Sequence, residues 1–421
     1  MRYVLFVVLI VSFTHSWGQE LVSLPIEFKE IAYSHVSHLA SFGTRNATSK
    51  GETETIRYIQ DYFASLDLST NIDTFEFQGY VAKDIQVLID NRPIHFKTVF
   101  FNPYKDPDGL SGAVYLFNRT SGYKSIAPDS ISNHIVIARE RADVYGLYKY
   151  KPKAIVILGD ADMALLDQKA QSCVIKPNGK VNTYKSYNIY SSLNHQEKEV
   201  LIGAHWDSFN GPGADDNASG VSVVLELARY FKQEKDNLPF NIKFVFFGAE
   251  ELGLLGSQAY SQKHISDTSS VIYYFNVDCV GDTGSILADV NGGVTYKGQP
   301  AIYPVQLAAT DLVNVKRPWH LSTELAYPEE SNMPPWLQTI ITQALESSDH
   351  KYSKLNGIGS DHRSFALNGF VAAHLGMDGK NVQHCPEDTM GQVNKNSLEL
   401  AGRIVATVVM KTAERQKNTD L

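Results

Sequence analysis

VLIGAHWDS (200–208), GPGADDNASG (211–220) and FVFFGAEELGLLGS (244–257) are the stretch on which the fold turns. The apolar run Val200–Ala204 ends in His205 and Asp207, and a second, Phe244–Phe247, runs up to the pair Glu250 and Glu251. Short apolar runs bounded by polar residues read as strands buried on both faces. Both deliver polar groups at the C-terminal end, the edge where open α/β sheets build their sites. Between them, Asp215, Asp216 and Asn217 lead through Ser219 and Gly220 into a helix with Val221, Val224, Leu225, Ala228 and Phe231 on one face. Further on, VIYYFNV (271–277) is a third such strand and ends in Asp278. Three strands thus bring His205, Glu250, Glu251 and Asp278 to one edge.

Imidazole and carboxylate together suit zinc better than calcium or magnesium. His205 and Asp207 lie two apart and share a face of their strand. Asp207 is therefore placed to accept a hydrogen bond from the ring nitrogen of His205 that does not bind metal, fixing its tautomer. A lone His-x-Asp is weak evidence, and for any single acid a solvated loop is the better reading. The coincidence of several at one edge carries the argument.

GAHWDS (203–208), GADDNASG (213–220), AEELGLLGS (249–257), NVDCVGD (276–282), GSDHRSF (359–365) and QHCPEDT (383–389) follow one another in the order found in the clan MH zinc exopeptidases. The chain resembles that clan over roughly residues 30–80 and 186–413. The clan includes secreted bacterial leucine aminopeptidases and plasma glutamate carboxypeptidase. The resemblance implies an α/β three-layer sandwich, with a mixed, largely parallel sheet flanked by helices. It also implies two zinc ions per chain. One is held by His205, Asp216 and Asp278, the other by Glu251, Asp216 and His384, with Asp216 as the bridge that offsets cation repulsion. Glu250 takes the role of general base towards a hydroxide held by the two zincs. In the clan the peptide after the bridging Asp is often cis. Several relatives carry a Tyr just ahead of the Ser-Asp-His loop, whereas here the nearest is Tyr352, which leaves His362, a Tyr from the long segment 284–336 or no group at all for the oxyanion.

The rest of the chain frames these motifs. Arg2 precedes an apolar run to Phe13, and residues 1–18 read as a secretory signal peptide, giving a secreted protein with no membrane span after its removal. A catalytic domain at 19–80 and 186–421 is interrupted at 81–185 by a β-rich insertion, with strands at Gln86–Ile89, Ala113–Phe117, His134–Ala138 and Ala154–Leu158. This insertion resembles the protease-associated domain, and reads either as a lid shaping access or as a passive module. In the N-terminal part, Gly51 precedes a helix carrying Ile56, Ile59, Tyr62 and Phe63. Near the C-terminus, Leu398–Met410 is a closing helix followed by a frayed tail.

The 421 residues carry 38 Lys and Arg against 46 Asp and Glu, a formal net charge of -8 that speaks against nucleic acid as a partner. Three cysteines make no disulfide framework; Cys279 and Cys385, each directly after a proposed ligand, read as two small buried thiols, with a bridge between them as the alternative. Glu329 and Glu330 read as a solvated acidic turn, with a substrate ammonium as the alternative partner. Peptides are the expected substrates, cleaved at the N-terminus by an aminopeptidase. Carboxypeptidase or dipeptidase action uses the same motifs. A one-zinc glutaminyl cyclase and a non-catalytic binding protein are disfavoured because all five ligand positions and the base are filled.

Overall fold

The strands expected to feed the site lie side by side. The computed structural model describes residues 20–289, 306–308 and 332–419, apart from 102–105, 119–125, 127–129, 140–146, 148–149, 167–169, 210, 355–358 and 380–381. The signal-peptide reading and the Glu329–Glu330 turn lie outside the described residues.

In chain order the strands are β1 (Thr70–Ile89), β2 (Arg92–Ile94), β3 (Thr98–Phe101), β4 (Leu110–Leu116), β5 (His134–Ala138), β6 (Ala154–Ile157) and β7 (Ser172–Ser192), then β8 (Glu199–His205), β9 (Asn241–Phe247), β10 (Val271–Val277), β11 (Ile286–Asp289), β12 (Gln306–Ala308), β13 (Tyr352–Lys354) and β14 (Ala372–Met377). At the centre, β9, β8, β10 and β14 are mutually parallel neighbours. Antiparallel strands flank them, β7 on β9 and β11 on β14, which makes the sheet mixed with a parallel heart. Register sets the level of the site. His205 pairs with Phe247, Asn276 with Gly203 and Val277 with Leu375, so the parallel strands end together.

Alternation along these strands sorts side chains into two cores. Val200, Ile202, Ala204, Phe244, Phe246, Tyr273, Phe275 and Val277 face one side, where the helices Phe28–Ser41, Gly220–Glu234, Pro335–Glu346 and Lys395–Thr419 cover them. Leu201, Val245, Phe247 and Tyr274 face the other, beneath the helices Leu255–Lys263 and His362–Leu367 through Tyr260 and Phe365. The result is helix, sheet, helix, as expected.

Residues 81–185, expected as an insertion, are joined to the central strands by paired strands. β1 and β7 pair antiparallel from Thr70↔Ser191 to Ile89↔Cys173, a ribbon that passes through positions 81 and 185, and β4 bonds to the far half of β7. The strands between β1 and β7 are thereby hydrogen-bonded into one sheet with the central strands, with apolar clusters of their own, Val87, Val99, Ile137 and Val156 on one face, Phe100, Val136 and Ile155 on the other.

Two local expectations are corrected. The second helix starts at Lys50, one residue before Gly51, capped by the Ser49 hydroxyl, which accepts from Glu52 N, while Glu52 reaches back to Thr48 N at 2.6 Å. This reciprocal cap fixes the start, and Gly51 sits in the first turn because a Cβ there would meet Thr44 O at 2.5 Å. The closing helix runs Lys395–Thr419, well past Met410, because Ala413 still buries against the main core. No helix among the described residues is long and apolar enough to cross a membrane.

Candidate metal centre

His205 is the last residue of β8 and is buried, with its ring between acids from three segments. Nε2 lies 3.2 Å from Asp216 Oδ1, 3.3 Å from Asp278 Oδ1 and 4.0 Å from Glu250 Oε2. The other oxygen of Asp216, Oδ2, is 3.2 Å from His384 Nε2, which is also 3.0 Å from Glu251 Oε2. One carboxylate therefore spans two imidazoles. On one side Asp278 completes the group, on the other Glu251. The five residues expected to hold metal come together, and Glu250 stands beside them.

Local structure explains the arrangement. Gly213 has φ +55°, and the chain 214–219 makes a wide, irregular turn containing the cis peptide Asp216–Asn217 before the helix Gly220–Glu234 begins. Asn217 holds that turn to β10: Nδ2 donates to Val277 O at 3.0 Å, and Oδ1 accepts from Gly220 N at 2.8 Å and Cys279 N at 3.2 Å. Ser360 Oγ donates to Asp278 Oδ2 at 2.6 Å and accepts from Asn276 Nδ2 at 2.7 Å, which orients the carboxylate at the end of β10.

Asp207 faces His205 as expected, its Oδ1 3.5 Å from Nδ1, but the nearer acceptor of that nitrogen is the backbone oxygen of Asp207 at 3.2 Å. Sequence reasoning missed the main work of the carboxylate. Its two oxygens accept the backbone N–H groups of Glu250 and Glu251, each at 3.1 Å, tying the acidic loop to the end of β8. His362 does not turn to the nest: it is buried, 3.5 Å from Asp289 and ring to ring with His374 at 4.9 Å. Tyr352 packs against the main core. Cys279 and Cys385 are free thiols and mostly rather than fully buried, and the Cys279 sulfur shares the nest with Asp216 and Asp278, their donor atoms within 4.8 Å of one another.

The electrostatics are those of a place short of positive charge. Burial raises Glu250 well above the usual carboxylate range and lifts Glu251 to about 7 and Asp215 to about 8. His205 is pushed up although burial opposes its charge, because Glu250 and Asp278 outweigh that cost; the Glu251 carboxylate does the same for His384. Asp216 is lowered against its own burial by the two imidazoles. Glu251 Oε1 is buried with no hydrogen-bond partner, an orphan that a cation would satisfy. Two divalent cations sharing Asp216 fit this donor set, because nitrogen and carboxylate ligands, an uncompensated buried charge and a doubly used carboxylate all call for them.

Fold and nest define a class: α/β proteins that gather paired cations at the carboxyl edge of a parallel sheet. Residues 188–409 match peptidase family M28, and the chain belongs to that family. Aminopeptidase YwaD of Bacillus subtilis is 24% identical over 438 aligned positions, covering 94% of this chain and 87% of that protein. A probable leucine aminopeptidase of Arthroderma otae is 35% identical over 117 residues, 25% of this chain and 32% of that one. Among solved structures, a zinc aminopeptidase from Bacillus subtilis superposes with a TM-score of 0.62 at 21% identity, covering 93% of this chain and 96% of the other. An aminopeptidase from Aneurinibacillus sp. strain AM-1 does so equally well, with 90% and 93% covered.

Proposed function

We propose that this peptidase is a di-zinc aminopeptidase that removes residues from the N-terminus of peptides. One observation carries the reading: the two oxygens of Asp216 stand 3.2 Å from His205 and 3.2 Å from His384, with Asp278 and Glu251 closing the two groups. The names of the relatives, several of them aminopeptidases, support the choice of substrate end.

Zinc bound there would acidify a water and polarise the scissile carbonyl. The chain's own residues do the rest. Glu250 lies within reach of the His205 and Asp278 group but stands farther from the imidazole, at 4.0 Å, than Asp216 or Asp278, which leaves its carboxylate to take the water's proton and to return it to the leaving amine. Asp207 keeps Glu250 in place through the backbone N–H it accepts.

We further propose that residues 1–18 direct export and that 81–185 is a protease-associated module beside the site. Phe209, two residues past Asp207, packs against the insertion's core and meets the His384 ring edge-on at 5.9 Å, which supports a role for the module at the entrance.

Elemental analysis and a peptide panel test the central reading. Two zinc ions per chain are expected, with activity lost on chelation and regained with zinc; one ion would favour a cyclase and none a binding protein. Cleavage should stop on N-acetylation and survive C-terminal amidation, and the reverse pattern would make the enzyme a carboxypeptidase.

A further inference from the structure

The turn that presents the bridging carboxylate is gripped from both sides by residues that touch neither proposed zinc position. On its carbonyl side stands Arg45, from the loop between the first two helices, fully buried. Its guanidinium donates to Trp206 O at 2.9 Å, to Gly213 O at 3.0 Å and, closely, to Pro212 O. Its backbone N–H donates to Ser208 Oγ at 3.0 Å, and that hydroxyl donates to Gly211 O at 3.0 Å. On the amide side stands Asp388, four residues after His384 and also buried. Its carboxylate accepts Asp215 N at 2.8 Å and Asp216 N at 3.0 Å, one oxygen each. Its backbone oxygen accepts Ala214 N at 3.3 Å.

The pattern repeats the one at Asp207. Each acidic pair of the site has both its backbone N–H groups held by a carboxylate from another segment: Glu250 and Glu251 by Asp207, Asp215 and Asp216 by Asp388. Asp388 has a second consequence, because it shares a short loop with His384. Fixing Asp388 to the Asp216 turn sets the separation of two proposed ligands that are far apart in sequence. Arg45 supplies the buried positive charge among these acids; Asp207, Asp388, Asp216 and Glu251 all act on it. Its planar fork reaches carbonyls on four residues, Leu39, Trp206, Pro212 and Gly213, which an ammonium, a single point of charge, cannot reproduce.

We propose that Arg45 and Asp388 are positioning residues for Asp216, and that together they set how tightly the zinc pair is held. This rests on the di-zinc reading. A carboxylate that must serve two cations at once tolerates little error in its backbone, and loss of groups that orient ligands typically costs 10- to 100-fold in metal affinity.

The test strips the full-length protein with a chelator and titrates it with zinc against a competing buffer. Wild type should bind two ions. Asp388→Asn, checked for folding by circular dichroism, should bind zinc about 10- to 100-fold more weakly. Raising zinc should then restore turnover with KM unchanged. Arg45→Lys, which keeps the charge and loses the fork, should behave alike and serves if Asp388→Asn does not fold. Glu226→Gln, in a buried ion pair away from the site, is the control for mere destabilisation: its melting temperature should fall while zinc affinity stays. Wild-type zinc affinity in folded Asp388→Asn or Arg45→Lys overturns the proposal while the di-zinc reading stands. A wild type that binds no zinc overturns both.

Discussion

At the scale of the residue, the two carboxylates next to ligands differ in what they touch, and so in what their loss does. Glu250→Gln keeps the shape, and the backbone N–H that Asp207 accepts is unaltered. The amide cannot take a proton, so kcat should drop by about 10²-fold or more with zinc content and KM near wild type. Turnover close to normal would remove Glu250 from the role of base. Asp207→Asn replaces one of two acceptor oxygens by an NH2 that faces a backbone N–H, and disturbs Glu250 and Glu251 together. Zinc affinity should fall about 10- to 100-fold, read by competition with a chelating dye, and a loss confined to kcat would show that Asp207 does not act through the metal. His205, Glu250, Glu251 and Asp278 were legible because they stand at or just past strand ends, and Asp216 because it precedes a helix, whereas His384, in a loop between β14 and the closing helix, was legible only through its motif. Arg45 and Asp388 were not. Their bonds cross more than a hundred and sixty residues of chain to backbone groups, and a lone buried Arg or Asp has no local signature.

Among the elements, the C-terminal ends of the central strands could be read to within a residue or two, while β9 begins three residues before the apolar run Phe244–Phe247, at Asn241. The closing helix could not, because its last turns are polar and are kept by packing. The helix Gly220–Glu234 shows how element and site are joined. A Cβ on Gly220 would stand 2.3 Å from Asn217 Oδ1 and 2.3 Å from Val277 O. Helix propensity alone favours Ala over Gly by about 1 kcal/mol, whereas a forced shift of packed backbone costs about 1–3 kcal/mol. The second effect wins here, because Val277 O is backbone next to Asp278 and cannot swing aside. Gly220→Ala should therefore lower the melting temperature and weaken zinc binding, both measurable by a thermal scan with and without the metal. A stabilised protein would mean that the close approach of helix and strand is relaxed in solution.

For the whole molecule, the nest is a store of unfavourable charge that metal discharges. Without metal, burial holds Asp215 at about 8, Glu52, Glu251 and Asp361 at about 7, and Asp388 at about 6. A carboxyl raised in the folded state keeps a proton that the unfolded chain has already released near pH 4. His205 and His384 are raised as well, and they too hold protons in the folded state that the unfolded chain gives up above its ordinary imidazole value. Both kinds of group act with one sign: the folded state binds more protons, so stability falls as pH rises from about 4 to 8. Asp216, lowered by His205 and His384, and Asp278, lowered by His205, oppose this only at the acid end, whereas His374, which burial lowers to about 3, opposes it as a single group up to the ordinary imidazole value. Zinc takes the place of those protons and releases them on binding. The metal-free protein should thus melt progressively lower between pH 5 and pH 8, while the zinc form holds nearly level. At a hundredfold excess over Kd, zinc adds about 2.7 kcal/mol, and because Kd itself tightens with pH, the rise in melting temperature on adding zinc should grow from pH 5.5 to 8. A zinc-induced rise of the same size across that range would show that the acids of the nest are ionised before the metal arrives, and that something other than proton exchange carries the binding.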